Sequence, residues 1–557
     1  MVEMAKFNKV LTAKQVVESD PTATENFEDG LAFAMGNKYR LFSRVLTTLF
    51  SEKKFYQDAC DHDEGILNDV RMVAEEDPEF ILKLAVFARQ YMGLRSVPIV
   101  LLAEAALNLA TRRFVRRYTK HIIRRADELV EVIAYIKIAK FNGGRVTKLP
   151  SCLKKGIAEA FDNFDEYQLL KYDNSKGLSI ADIIKLSHPV PKDCSKEYLY
   201  GHIIGKHKEP DSKLTPIAYA KKKFIECSKD GWSDETAEWA EKAHATQELA
   251  IKVHGNKPEV WEAIFPTLGY MALLRNLTKI CEVLDEGPVK KVANRIADPE
   301  QVKMSKQFPF RFLSAYRSLQ RSDVGGFEKN YLLTAVAKAL NASVANLPKI
   351  KGKTIVMIDL SASMNALLSE RSSVSYKDVA ATLGAVANKV FDEPLVYGFA
   401  CDGRRINILP DDTVMSNIKK ILKVDVGYST NAYLLIRDMI IAKIKCDRII
   451  LISDMQCYDS YAGEESFAKY FKEYKWKVNR DVKLYSLDLT GYGTLQTPAD
   501  DTVLIAGWTE KLFAIIGMME ANKTDMCGAI EKFASKKTKK PGFQIDEKLL
   551  AISARWS

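Results

Sequence analysis

A run of apolar residues that ends in Asp-x-Ser-x-Ser constrains this chain more than any other feature. The run is Thr354-Ile-Val-Met-Ile-Asp-Leu-Ser-Ala-Ser-Met364. Its β-favouring residues predict a buried strand, and a tight turn after the strand would bring Asp359, Ser361 and Ser363 to one point. Ligands of open α/β sheets bind outside the carboxyl ends of the strands, and Mg²⁺ prefers oxygen ligands. We therefore expect an α/β domain with a site for Mg²⁺ or another divalent cation at this strand end.

Two later segments add oxygen donors to the predicted site. Gly427-Tyr-Ser-Thr-Asn431 opens a predicted helix, and Ile449-Ile-Leu-Ile-Ser-Asp454 is a second buried strand that ends in Asp. The predicted metal ligands are Asp359, Ser361, Ser363, Thr430 and Asp454. In this order the set resembles the metal-ion-dependent adhesion site of a von Willebrand factor A domain, which implies a metal that docks a partner's carboxylate. Ser429 stands where that family usually has Gly, and the alternative is a domain that keeps the fold without binding metal.

The chain changes character near residue 350. Its 557 residues predict two to four domains. Apolar residues at three- and four-residue spacing, with Pro and Gly in the gaps, predict helices from about 26 to 346, and stacked helix pairs of this kind indicate an α-solenoid. Beyond that point, strands alternate with helices, which predicts a parallel sheet covered on both faces. We assign residues 1–25 to an N-terminal extension, 26–349 to the helical domain, 350–520 to the α/β domain and 521–557 to a basic tail, either a solvated helix end or a loose extension.

Composition restricts the class of protein. The net charge of +10 leaves a nucleic acid or an acidic partner open. The nine cysteines include no Cys-x-x-Cys pair and predict reduced thiols. The first residues lack an apolar signal segment, so we expect a soluble, cytoplasmic protein. Phosphate-loop, dinucleotide-binding, Gly-x-Ser-x-Gly and His-Glu-x-x-His motifs do not occur, so we predict no catalytic activity.

Several helical segments resemble the TROVE module of the Ro autoantigen and its bacterial relatives. They are Asp77-Pro-Glu-Phe-Ile-Leu-Lys-Leu-Ala-Val-Phe-Ala-Arg89, Leu178-Ser-Ile-Ala-Asp-Ile-Ile-Lys-Leu-Ser-His-Pro189, Val260-Trp-Glu262 and Phe308-Pro-Phe-Arg-Phe-Leu-Ser-Ala-Tyr-Arg317. The resemblance implies a monomeric ring of HEAT-like helical repeats, closed beside a Rossmann-like von Willebrand factor A domain. It also implies a non-enzymatic role in RNA quality control. A basic outer face would bind small structured Y-like RNA, and a central hole would accept single-stranded ends of misfolded RNA.

A basic stripe within the helical domain is the first candidate RNA surface. Residues 111–125 carry seven Lys or Arg and one His with no acidic residue between them. On a helix, side chains three and four residues apart are neighbours, and Arg binds phosphate bidentately. The alternative is a solvated charged face. The candidate RNA-binding residues here are Arg112, Arg113, Arg116, Arg117, Lys120, His121 and Arg124.

Other candidates follow from the resemblance and from local spacing. Lys171, Lys176, Lys185 and His188 lie around the second family segment, and His188 matches a family position associated with RNA contact. Taken alone, a His after a helix is more commonly a cap or core group. Arg275, Arg317 and Arg321 are predicted to line the central hole, with buried ion pairing as an equal alternative.

Two other functions compete with RNA binding. The first is a protein-interaction scaffold that uses its metal site to dock an acidic partner and has no RNA role. The second is a nuclease with Mg²⁺ at Asp359 and Asp454, which is disfavoured because a two-metal site needs more carboxylates than these loops provide.

Overall fold

The fold was taken from a computed structural model of the chain. The structure describes residues 22–26, 31–47, 59–141, 148–172, 178–227, 232–305, 307, 309–347, 349–369, 372, 374–409, 411–457, 465–498, 502–508, 511–522 and 525–538.

Helices make up most of the first part of the chain. They are α1 (Asn37–Thr47), α2 (Ala59–Glu76), α3 (Phe80–Gln90), α4 (Ser96–Leu107), α5 (Arg112–Ile122), α6 (Ala126–Phe141), α7 (Ser151–Ala160), α8 (Glu166–Lys171), α9 (Ile180–Ser187), α10 (Cys194–Ile203), α11 (Pro216–Glu226), α12 (Asp234–Lys242), α13 (Gln247–His254), α14 (Pro258–Ile264), α15 (Tyr270–Arg275), α16 (Leu277–Val283), α17 (Glu286–Ala297), α18 (Pro299–Ser305), α19 (Pro309–Arg321) and α20 (Phe327–Ser343).

The second part contains the remaining helices and most of the strands. Its helices are α21 (Tyr376–Val390), α22 (Val414–Leu422), α23 (Tyr433–Ile441), α24 (Phe467–Lys477), α25 (Lys511–Asn522) and α26 (Met526–Thr538). The strands of the whole chain are β1 (Ala23–Glu25), β2 (Leu31–Ala34), β3 (Ile350–Asp359), β4 (Phe391–Phe399), β5 (Gly403–Arg405), β6 (Arg448–Ser453), β7 (Lys483–Asp488), β8 (Thr494–Leu495) and β9 (Thr502–Ala506).

The α/β domain is built on a six-stranded sheet in the order β5-β4-β3-β6-β7-β9. The pairs that involve β3, β6, β7 and β9 are parallel, as the strand–helix alternation predicts, and β5 adds an antiparallel edge. Alternate residues of β3 face opposite sides, because Ile355 and Met357 pack with α23 and α24, whereas Val356 and Ile358 pack with α21 and α22. Both faces of the sheet are therefore covered by helices.

The helical part forms a continuous path that begins and ends on the α/β domain. Each helix from α1 to α20 packs against near neighbours in sequence, α1 also packs on β9, and α19 and α20 pack on α21 and α22. At its start, Phe33 of β2 pairs with Leu495 of β8, and this places both elements in a separate three-stranded sheet. At its end, Arg317 of α19 forms an ion pair with Asp378 of α21. The predicted closure of helical repeats beside the α/β domain is thus present in the fold.

Two sequence predictions need correction. Residues 521–557 were assigned to a basic tail, but Met526–Thr538 form a helix with a buried face, and Phe533 packs edge-on against Phe87 and Tyr91 at ring distances of 5.6 Å. Helices were also expected from about residue 26, yet β2 forms there. Its partner β8 lies far away in the sequence, and local patterns carry no information on such a pairing.

Within the described residues, none of the helices is both long and apolar enough to cross a membrane. Eight cysteines are free thiols: Cys152, Cys194, Cys227, Cys281, Cys401, Cys446, Cys457 and Cys527.

Gly491 sits where the α/β domain meets the start of the helical path, and we predict that Gly491→Ala destabilises this contact. Gly491 has a φ of 73° and a Cβ there would collide with Thr47 while lying 3.0 Å from the Cα atom of Arg44. Because both backbone strain and a backbone collision result, we expect a loss of ~2 kcal/mol or more in the free energy of unfolding.

Urea unfolding with hydrogen exchange of the α1 amides measures this effect. Gly287→Ala is the matched control, since nothing lies within 4 Å of a Cβ at that position. It should change stability by less than ~1 kcal/mol. Equal unfolding midpoints for the two variants would show that the close approach at Gly491 does not hold α1.

Candidate metal centre and nucleic-acid interface

Three carboxylates meet at the carboxyl ends of the adjacent strands β3, β6 and β7. Asp359 and Asp488 are the last residues of β3 and β7, and Asp454 follows β6 directly. All three side chains are buried, with exposed fractions of 0%, 1% and 0% for Asp359, Asp454 and Asp488. Parallel pairing forces this arrangement, because it brings the ends of neighbouring strands to the same edge.

Hydroxyl groups complete one side of the cluster. The Oγ atoms of Ser361 and Ser363 lie 3.2 Å apart, and the backbone N–H of Ser361 donates to Asp359 Oδ1 at 2.9 Å. Ser453 Oγ donates to the other oxygen, Asp359 Oδ2, at 2.7 Å. The structure therefore places Asp359, Ser361 and Ser363 in the tight turn that the sequence predicted.

The loop that carries Thr430 is held against this turn. Thr430 is buried, and the backbone N–H of Ala362 donates to the carbonyl of Tyr428 at 3.0 Å. Cys401 supports the loop from beneath, since its Sγ accepts the backbone N–H groups of Tyr428 and Ser429 at 3.2 and 3.3 Å. Sequence reasoning missed Cys401, which lies on another loop and carries no motif.

Because these carboxylates are buried, a bound cation would stabilise their charged forms. Burial raises the pKa of Asp359, and burial together with the charge of Asp359 raises the pKa of Asp454 to about 8. Two carboxylates and three hydroxyls form an oxygen-only donor set, which suits a hard cation such as Mg²⁺. In the described residues no group of three or more His, Cys, Asp or Glu is placed to share a metal ion, so hydroxyls or water would complete any coordination.

Asp488 differs from the other two carboxylates because one of its hydrogen bonds comes from the helical domain. Its Oδ1 accepts the N–H groups of Thr490 and Gly491 at 2.9 and 2.8 Å, and its Oδ2 accepts from Ser43 Oγ of α1 at 2.5 Å. Asp488 therefore links the carboxylate edge of the sheet to the first described helix.

Helix α5 carries the predicted basic stripe. Val115, Tyr118, Thr119 and Ile122 form its buried face, at the spacing expected of an amphipathic helix. The opposite face is exposed and cationic; it comprises Arg113, Arg116, Arg117 and Lys120, with Arg124 just beyond the helix.

Acidic residues from neighbouring helices reach part of this face. Arg116 lies 2.5 Å from Glu159 of α7, and Arg117 lies 3.1 Å from Glu79. No acidic residue lies within the stripe in the sequence. In the fold, however, distant segments bring Glu159 and Glu79 into contact with it. Within the described residues, no carboxylate forms an ion pair with Arg113, Lys120 or Arg124.

Two of the predicted RNA-binding residues in the stripe, Arg112 and His121, are only partly exposed. Arg112 donates to the carbonyls of Ala106 and Leu107 at 3.1 and 3.0 Å and so closes the end of α4. Burial and the nearby cations, Lys120 first, lower the pKa of His121 to about 4, so its imidazole is uncharged at neutral pH. One of these cations, Lys537, comes from α26, which sequence reasoning had left in the tail.

The second predicted group lies at α8 and α9. Lys171 Nζ donates to the Tyr167 hydroxyl at 3.2 Å, and Lys185 is exposed. His188 ends α9 with a φ of 54°, a conformation that is costly for a residue with a Cβ, and its side chain is exposed. Lys176 lies outside the described residues.

The three arginines that were predicted to line the central hole lie in different surroundings. Arg317 forms its ion pair with Asp378, the alternative that the sequence left open. Arg321 is exposed at the end of α19, and Arg275 is exposed at the end of α15, where it lines a cavity with residues of α19.

Comparisons with known proteins agree with this architecture. A model of the TROVE domain matches residues 35–252 and 241–376. The RNA-binding protein RO60 of Deinococcus radiodurans is 23% identical over 507 residues, which cover 86% of this chain and 91% of that protein. The crystal structure of the Deinococcus radiodurans RO (RSR) protein matches with a TM-score of 0.64 at 19% identity, over 88% of this chain and 100% of that chain. The structural match confirms the predicted fold, helical repeats with a von Willebrand factor A-like domain.

A second set of relatives is much longer than this chain. Telomerase protein component 1 of Rattus norvegicus is 28% identical over 318 residues, and that of Mus musculus is 29% identical over 321 residues. Each match spans 48% of this chain but only 12% of the telomerase component.

We predict that the metal-free protein loses stability as the pH rises, through Asp454. Its pKa is about 8 in the folded state against an ordinary 3.8, so the folded state holds a proton that the unfolded state has lost. The contribution is complete below pH 4 and is lost as the pH rises toward 8. At pH 8, Asp454→Asn should exceed the native chain in the free energy of unfolding by more than ~1.4 kcal/mol, the equivalent of one pKa unit.

Urea unfolding in the presence of a chelator, from pH 5 to pH 9, measures the difference between the two chains. Asp411→Asn serves as the control, because Asp411 is exposed. Parallel pH profiles for Asp454→Asn and the native chain would contradict the electrostatic account of this site.

Proposed function

The chain belongs to the TROVE domain family, and on that premise we propose that it is the RNA-binding component of a ribonucleoprotein. It would hold a small structured Y-like RNA on the basic outer face and single-stranded ends of misfolded RNA in the central hole, as a cytoplasmic monomer in RNA quality control. The cationic face of α5 carries this proposal, since its exposed Arg113 and Lys120, with Arg124 just beyond the helix, form no ion pair with a carboxylate of the described residues and favour a polyanion. The relative from Deinococcus radiodurans is an RNA-binding protein, which supports the same proposal.

Phosphate contacts supply the affinity in this proposal. Arg113, Lys120 and Arg124 would approach phosphates directly, whereas Arg116 and Arg117 would first exchange their carboxylate partners for phosphate. Each phosphate that is neutralised releases bound counterions, so the affinity falls as the salt concentration rises. The chain itself performs no chemistry on the RNA.

We propose that Asp359, Ser361, Ser363, Thr430 and Asp454 hold Mg²⁺ or another divalent cation. The buried carboxylates support this, because a cation would offset the charge that burial leaves there. When bound, the metal would supply an acceptor for a carboxylate of a protein partner, as in other A domains.

The second candidate function is a scaffold that docks an acidic protein partner and binds no RNA. The edge of the sheet with the proposed metal site favours this function, because Tyr428, on the loop that carries Thr430, is 78% exposed beside the buried oxygen donors. An aromatic side chain next to a docking site is typical of interaction surfaces. The two functions are separated by whether RNA binds at moderate salt.

The exposed stripe of α5 gives the first test of RNA binding. Arg113→Glu combined with Lys120→Glu should weaken binding of the RNA that copurifies with the native chain by ~10-fold or more at moderate salt and should reduce the salt slope, because two phosphate contacts become repulsive. Filter binding over a range of salt concentrations measures both effects.

Lys472→Glu with Lys477→Glu is the control, since it changes the net charge equally on the exposed surface of α24. If both double variants lose affinity alike, the effect belongs to overall charge and α5 is not the RNA surface.

Metal binding should be separable from RNA binding. Asp359→Ala, or the milder Ser363→Ala, should abolish or weaken the rise in melting temperature that Mg²⁺ gives the native chain, because each removes an oxygen donor. RNA affinity should change by less than ~2-fold, since α5 lies in the other domain. Calorimetric titration with Mg²⁺ provides the second readout. A large RNA defect in a variant that remains folded would refute this separation.

A further inference from the structure

The helix α26, which follows the α/β domain in the sequence, brings lysines to the end of the basic stripe on α5. It packs on α3 and on α5, both of which belong to the helical domain. The rings of Phe87 and Tyr91 at the end of α3 contact Phe533 edge-on, at ring distances of 5.6 Å. Lys537 lies one turn beyond Phe533, and its Nζ is 5.8 Å from the centre of the Phe533 ring. The last turn of α26 is therefore held beside the helical domain.

The last turn of α5 is held at the same place. The side-chain amide of Gln90 donates to the carbonyl of His121 at 2.7 Å, and Gln90 lies three residues after Phe87 on α3. Because both contacts lie within one turn of α3, the end of α5 and the end of α26 are close neighbours. In agreement with this, the charge of Lys537 acts on both His121 and Arg124.

The cations that meet here are Lys120, Arg124 and Lys537. The first two are exposed and Lys537 is partly exposed. None of the three forms an ion pair with a carboxylate within the part of the chain that the structure describes. The buried Glu128 pairs with Arg89 at 2.6 Å and accepts the backbone N–H of Arg124 at 2.7 Å, so its oxygens are already engaged. The three cations therefore face solvent without a carboxylate bonded to them.

The ends of the two helices compensate only part of this charge. The carbonyl groups at the C-terminal end of a helix act as about half a negative charge, so α5 and α26 together supply about one against three cations. Burial first, and then the surrounding cations, lower the pKa of His121 to about 4. The potential around this imidazole is therefore positive, and it favours an anion from outside the chain.

We propose that the last turns of α5 and α26 together form one phosphate-binding surface, which a single RNA molecule bridges. The stripe on α5 is then only one part of the RNA surface, and Lys537 contributes a contact from the other part. The inference rests on the proposed function and adds a consequence to it: RNA bound across both helices fastens α26 to the helical domain. A ligand that binds only when α26 is docked stabilises the docked form.

A charge reversal on α26 tests the phosphate contact with the full chain. Lys537→Glu should weaken binding of the RNA that copurifies with the native chain by ~3-fold or more at moderate salt. It should also reduce the salt slope by about one, because one phosphate contact is lost. Filter binding over a range of salt concentrations measures both effects.

Lys532→Glu is the matched control on the same helix. Lys532 is exposed, and it lies five residues before Lys537, which places it about 140° away around the helix axis. It makes the same change in net charge as Lys537→Glu and should leave the salt slope unchanged.

The stability of the RNA-free protein separates an RNA contact from a structural role of Lys537. Because Lys537 lies near Arg124, Lys537→Glu should leave the melting temperature of the RNA-free chain unchanged or raise it, since a repulsion between like charges is removed. A melting temperature several degrees lower, together with weaker RNA binding, would show that Lys537 holds α26 in place and would overturn the inference.

Hydrogen exchange tests whether RNA fastens α26. Saturating amounts of the copurified RNA should slow exchange of the Met526–Thr538 amides by ~3-fold or more in the native chain and by less in Lys537→Glu. The amides of α24, on the far side of the α/β domain's sheet from α21 and α22, are the internal control and should not change. Unchanged exchange of α26 on addition of RNA would overturn the inference.

The remaining outcomes separate this inference from the proposed function. Equal losses of affinity and salt slope for Lys537→Glu and Lys532→Glu would assign the effect to overall charge, and RNA binding on α5 would stand without α26. Failure of the native chain to bind RNA at moderate salt would overturn the proposed function and the inference with it. Polyglutamate that protects the α26 amides as well as RNA does would overturn RNA as the ligand of this surface.

Discussion

Three buried carboxylates at the ends of adjacent parallel strands impose the constraint on which the structure depends. Asp359, Asp454 and Asp488 lie there because the strands are parallel, and each must be compensated. Asp488 is compensated by hydrogen bonds, one of which comes from Ser43 in the helical domain. Burial raises the pKa values of Asp359 and Asp454. One edge of the sheet therefore both anchors the helical domain and holds the carboxylates of the proposed cation site.

The basic residues also form two groups: some hold parts of the fold together, and others are exposed on the surface. Arg112 closes a helix end, and Arg317 joins α19 to α21, so neither guanidinium is available without a loss of stability. Arg113 and Lys120 are exposed and have no carboxylate bonded to them among the described residues, so a phosphate could reach them at little cost. Whether an arginine holds the fold or stays available to a ligand depends on whether the fold places a carbonyl or carboxylate beside it. It does not depend on how many charged residues lie near it in the sequence.

Much of the α/β domain and its site could be predicted from the sequence, because the signals are local. The strand before Asp359, the turn through Ser363 and the strand before Asp454 each lie within a few residues of one another. Contacts between distant segments could not be predicted: Glu79 and Glu159 neutralise part of the α5 stripe, and Lys537 approaches His121 from a helix taken for a tail. The sequence shows which residues are charged, whereas the fold decides which charges meet.

Closure of the helical path through the α/β domain fixes both ends of that path. The start is fixed at Gly491, where α1 approaches too closely for a side chain, and the end is fixed at Asp378 by Arg317. Gly491 and Asp378 lie far in the sequence from the helices that they hold, so the α/β domain sets where the helical path starts and where it ends. The helices between these two contacts are held in the path by their packing on one another.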